Sequence, residues 1–68
     1  MTTDVKSVSP NDSVSQAALL MEQLNVGSVP VVDNNKVVGI VTDRDIALRN
    51  VARGQNPNQK VSDVMTTN

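Results

Sequence analysis

Two β-branched segments, Ser28–Val32 and Lys36–Val41, lie three residues apart and leave this chain few ways to fold. Asp33-Asn34-Asn35 between them is good turn chemistry, so the segments are expected to pair as a hairpin. Their nearly continuous apolar content suits a sheet covered by helices on at least one side, which places Val31, Val38 and Ile40 in the core. Pro30 lacks an N–H and marks an edge, a strand start or a bulge. The second segment runs directly into Thr42-Asp43-Arg44-Asp45-Ile46-Ala47-Leu48, which reads as a helix from Asp43 to about Arg53, stopped by Gly54.

Upstream, Val5-Lys6-Ser7-Val8 alternates as a short strand, and Ser9-Pro10-Asn11-Asp12 is a turn. Ser13 with Gln16 three residues later forms a capping box. The helix it opens should run from Val14 to about Asn25, with Val14, Ala17, Ala18, Met21 and Leu24 on one apolar face and Gly27 as the stop. Gln55-Asn56-Pro57-Asn58-Gln59 is a polar connector. The order is strand, helix, strand, strand, helix: a small α/β (α+β) unit with a three-stranded sheet and two helices.

A domain of 68 residues buries little surface and is marginally stable alone. The chain has no Cys, His, Phe, Tyr or Trp, so neither disulfides nor a Zn site can staple it. Association with a second copy, or with the rest of a longer protein, is the expected remedy. The net charge of −1 comes from scattered acids and bases. No basic stripe tracks a phosphate backbone and no aromatic ring stacks bases, so nucleic acid is a poor match. The apolar runs are too short to cross a bilayer, and the N-terminus lacks the regions of a signal peptide; a soluble cytoplasmic protein is the expectation.

The chemistry concentrates where strand meets helix. Thr42 and Asp45, three positions apart, set a hydroxyl and a carboxylate beside the unpaired N–H groups of a helix start. Such a corner can hold a sugar-phosphate, and it can equally be a capping box that needs no ligand. Arg44 can meet a phosphate through two N–H groups or stand as a solvated helix charge. Acid–base catalysis lacks its parts: without His or Cys it falls to Asp, Glu or Lys, and Asp43 and Asp45 point to different helix faces. No enzyme is expected. Met21 and Met65 are packing residues. Leu19 lies about 140° from Val14 around the first helix, among polar side chains, as a lone exposed Leu or as a contact for a partner with Leu20 at its flank. Finally, Met1-Thr2-Thr3-Asp4 recurs as Met65-Thr66-Thr67-Asn68, 64 residues later, as a second copy of the unit would begin.

Several of these pieces match a family in order: Met1-Thr2 before a strand, Val8-Ser9-Pro10, Ala17-Ala18-Leu19-Leu20-Met21, Val26-Gly27-Ser28-Val29-Pro30-Val31-Val32-Asp33, and Val38-Gly39-Ile40-Val41-Thr42-Asp43-Arg44-Asp45-Ile46. With the coda Val61-Ser62-Asp63-Val64-Met65, the chain resembles a CBS domain, the regulatory motif named after cystathionine β-synthase. The resemblance implies a β-α-β-β-α fold whose motifs pair through their sheets, with clefts that commonly bind adenosine-containing ligands. On it, residues 1–60 form a single motif and 61–68 a linker or the start of a second. Only one motif is present, so a homodimer is implied. Carried over residue by residue, Asp45 takes the ribose hydroxyls, Thr42 lies beside ribose and phosphate, and Val8, Val29 and Pro30 line the base pocket. AMP, ADP or ATP is the expected regulatory ligand, ahead of S-adenosylmethionine, and no cofactor is required. A ligand-free dimerisation or scaffold domain is the alternative.

Overall fold

Ser13 opens the first helix as its sequence dictates. Its Oγ accepts from the Gln16 N–H at 3.1 Å, and its own N–H donates to Gln16 Oε1 at 2.9 Å. In the computed structural model, which describes residues 6–67, this helix, α1, spans Val14–Leu24. Val14, Ala17 and Met21 are buried, whereas Ala18 is exposed and Leu24 sits at the rim. The stop is Asn25, not Gly27: Asn25 adopts the left-handed conformation (φ 57°) and its N–H returns to the Glu22 and Met21 carbonyls. Gly27 serves elsewhere, since its carbonyl accepts from the Asp43 N–H at 2.9 Å.

Strands β1 (Ser28–Asp33) and β2 (Lys36–Thr42) form the expected antiparallel hairpin, with Pro30 opposite Ile40 and Val29 opposite Val41. Asn34 and Asn35 both take positive φ (53° and 65°), the conformation a two-residue hairpin turn demands. An irregularity between Val31 and Val32 shifts the register by one residue of β2.

Among the described residues, the third strand is reduced to one bridge. Val5 lies outside those residues, and Val8 attaches parallel to β1: its N–H reaches the Pro30 carbonyl at 3.0 Å and its carbonyl accepts from Val32 at 2.8 Å. The next bond of a parallel ladder would need an N–H at position 30, and proline has none. Pro30 therefore donates no further bond along this edge. At the other edge, Thr66 pairs antiparallel with Ile40 through bonds of 2.8 and 2.9 Å.

The core joins Val8, Val14, Ala17, Met21, Val29, Val31, Val41, Val61 and Val64, with Leu20, Ile46 and Met65 packed against it. It is aliphatic throughout. Val31 is buried as expected, but Val38 and Ile40 are not: they are 37% and 42% exposed. Alternation along β2 turns both to the sheet face opposite Val41, and no described element covers that face.

The second helix starts at the expected residue and changes pitch. Helix α2 (Asp43–Ile46) continues as a π-helical segment, Ala47–Val51, and so ends before Arg53. Gly54 follows with φ 68°. The wider turn accompanies a buried polar anchor at Asn50, whose side-chain amide donates to the Asn56 carbonyl at 2.9 Å and to Gln59 Oε1 at 2.8 Å. The connector so fixed offers its Gln59 and Pro57 carbonyls to the N–H groups of Val14 and Ser15. A short 3₁₀ turn, Val61–Asp63, then docks on the turn before α1: Val61 donates to the Asp12 carbonyl at 2.8 Å and Ser62 to the Pro10 carbonyl at 3.1 Å.

Candidate functional site

Thr42 is the last residue of β2 and the N-cap of α2, in extended conformation (φ −114°, ψ 163°). Its Oγ1 accepts from the Asp45 N–H at 3.0 Å, and Asp45 Oδ2 accepts from the Thr42 N–H at 3.0 Å. The capping box is thus complete in both directions. Asp45 is only 8% exposed, although it carries a carboxylate. A buried carboxylate requires partners, and two come from further along the chain. The Thr66 hydroxyl donates to Asp45, 3.3 Å from each oxygen. One guanidinium nitrogen of Arg49, a turn along the helix, lies 3.8 Å from Oδ1. That same nitrogen donates to the Val64 carbonyl at 3.0 Å and to the Met65 carbonyl at 3.3 Å.

Of the residues singled out in the sequence, Thr42 and Asp45 are brought together and Arg44 stands exposed on the first turn beside them. Pro30 is exposed and faces Ile40 across the hairpin. Val8 and Val29 are 5% and 2% exposed and belong to the core, so anything laid on the open face meets their backbone rather than their side chains. Two N–H groups of the α2 start are already engaged, Asp43 by Gly27 and Asp45 by Thr42. What the corner offers a phosphate is the Thr42 hydroxyl, the Arg44 guanidinium and the positive end of the helix. Beside it lies a groove of about 450 Å³ lined by Val37, Val38, Gly39, Ile40, Thr66 and Thr67. That is the scale of a small-molecule cleft, about 300–1,000 Å³, with mostly apolar walls. Among the described residues no group of three or more His, Cys, Asp or Glu side chains is placed to hold a metal ion, and no helix is long and apolar enough to cross a membrane.

Sequence reasoning missed Arg49 and Thr66. Arg49 carried a signal, four residues after Asp45 on one helix face. Thr66 carried none, since it reaches Asp45 across 21 residues of chain.

The sequence model of the CBS domain family matches residues 1–50. The CBS domain-containing protein YhcV of Bacillus subtilis is 52% identical over 67 residues, a match covering 98% of this chain and 48% of that protein. The inosine-5'-monophosphate dehydrogenase of Methanocaldococcus jannaschii is 44% identical over 64 residues, covering 93% of this chain and 12% of the enzyme. Among solved structures, a cystathionine beta-synthase domain protein fused to a Zn-ribbon-like domain superposes with a TM-score of 0.86 at 38% identity, covering 91% of this chain and 90% of that one. The chain spans about half the length of YhcV and of a second Bacillus subtilis protein that is 46% identical to it.

Proposed function

The chain belongs to the CBS domain family and is a regulatory module, and on that premise we propose that it binds an adenosine nucleotide in a cleft completed by a second motif. The observation that carries the reading is the Thr42–Asp45 corner beside an open apolar sheet face. Asp45 presents acceptor oxygens suited to the ribose 2′ and 3′ hydroxyls. Thr42 and Arg44 stand beside the expected position of a phosphate, and Pro30 offers an aliphatic surface to the base, with the backbone of Val8 and Val29 next to it. The exposure of Val38 and Ile40 supports pairing of that face with a second copy of the chain as a homodimer. AMP, ADP and ATP fit this corner better than S-adenosylmethionine, whose cationic sulfonium finds no phosphate-like role beside Arg44. No catalysis is assigned, and the match to the Methanocaldococcus enzyme covers only 12% of it.

A specific observation favours the second reading, a ligand-free pairing domain: both carboxylate oxygens of Asp45 already have partners within the chain. Isothermal titration with AMP, ADP, ATP and S-adenosylmethionine separates the two. Saturable binding of an adenosine nucleotide, with a raised thermal midpoint, is expected. No heat from any of the four at millimolar concentration would leave pairing as the function.

A further inference from the structure

We infer that Thr66 and Thr67 form a latch over the nucleotide corner, with Thr66 as a competitor for Asp45 and Arg49 as the positioning residue that holds the stretch leading to it, Val64 and Met65, in place. The inference rests on the nucleotide reading for the identity of what opens it, but not for the latch itself. Three independent features build the closed state. The Ile40–Thr66 bridge ties the segment to the β2 edge with two backbone bonds. Arg49 grips the carbonyls of Val64 and Met65 while facing Asp45. Gly39 gives the space, because a Cβ there would lie 2.8 Å from the Thr66 carbonyl oxygen and 3.1 Å from Met65 Sδ.

The chemistry at Asp45 makes the closed state exclusive. A carboxylate has about four acceptor directions. The Thr42 N–H takes one in the capping box, and the Thr66 hydroxyl lies 3.3 Å from both oxygens of a carboxylate that is itself buried. A ligand with vicinal hydroxyls needs both oxygens at once. It reaches them only by displacing Thr66, and Thr66 is the exposed member of the pair, able to leave without opening the core. Occupancy of the corner is thereby converted into release of Thr66 and Thr67, while Val64 stays in the core.

Amide hydrogen exchange at Ile40 and Thr66 of the full chain reads the latch with no ligand present. Thr66→Val keeps the shape and removes only the hydroxyl; Arg49→Met keeps the apolar stem. Each is expected to speed exchange at these two amides about three- to tenfold, with α1 unchanged. Exchange equal to the parent in both variants overturns the latch. Calorimetric titration with AMP then reads the competition. Thr66→Val is expected to bind AMP about three- to tenfold more tightly than the parent, and AMP is expected to speed exchange at Thr66 in the parent. Weaker binding by Thr66→Val, or slower exchange on adding AMP, overturns the competition, because Thr66 is then a ligand contact. Should neither protein bind AMP, the nucleotide reading fails by itself, and the exchange rates alone decide the latch.

Discussion

Gly39 and Thr66 approach so closely that a methyl group on the glycine would stand 2.8 Å from the threonine's carbonyl oxygen. That oxygen accepts the Ile40 N–H, so it cannot withdraw without giving up a backbone bond. The requirement at position 39 is therefore close approach rather than an unusual backbone angle.

Gly39→Ala is expected to lower stability by about 1–3 kcal/mol, the usual cost of forcing a group into filled space. Chemical denaturation measures it. A variant as stable as the parent would mean that residues 65–67 do not lie against β2 in solution.

Asp45→Asn replaces one acceptor oxygen by a donor and keeps size and part of the cap. Adenosine nucleotide affinity is expected to fall by roughly ten- to hundredfold, equivalent to about 1.5–3 kcal/mol. Without ligand, a loss of about 1–2 kcal/mol is expected, from the weakened cap and the weakened Thr66 and Arg49 contacts. Calorimetry and thermal unfolding together separate the roles. Unchanged affinity removes Asp45 from ribose binding, and unfolding without ligand makes it a structural residue first.

Pairing is expected to be visible directly. Sedimentation at micromolar concentration should give two chains, and Ile40→Glu, at a position now 42% exposed, should shift the boundary to one. A parent chain that sediments as a stable, folded monomer excludes the homodimer.

Leu19 is 52% exposed on α1 and lines no groove described above. Leu19→Glu is expected to leave thermal stability within about 0.5 kcal/mol of the parent and to lower any assembly state above two chains, read by light scattering. Unaltered assembly makes it an ordinary exposed leucine.

Asn50→Ala tests the anchor of the connector. It removes both bonds of a side chain only 4% exposed, and is expected to cost about 1–3 kcal/mol. Exchange at Val14 and Ser15, whose N–H groups depend on the connector carbonyls, should quicken with it.

What was legible in the sequence was what three consecutive spacings decide. Ser13 with Gln16 and Thr42 with Asp45 are reciprocal caps closed within one turn, so residue type and offset suffice. The hairpin was legible for the same reason, its Asn34-Asn35 turn being local. The site beyond Thr42 and Asp45 was not, because Thr66 and the carbonyls held by Arg49 come from 15 to 21 residues away. The π-helical segment is not legible either, because the bonds that accompany it, from the Asn50 amide to Asn56 and Gln59, are tertiary. Val38 and Ile40 were misplaced because an apolar strand reads the same whether its cover comes from its own chain or from another.

The turn at Pro10–Asp12 and the turn at Val61–Ser62 are bonded to each other, so the segment ahead of α1 and the segment after the connector brace one another, and a change that loosens one is felt by the other.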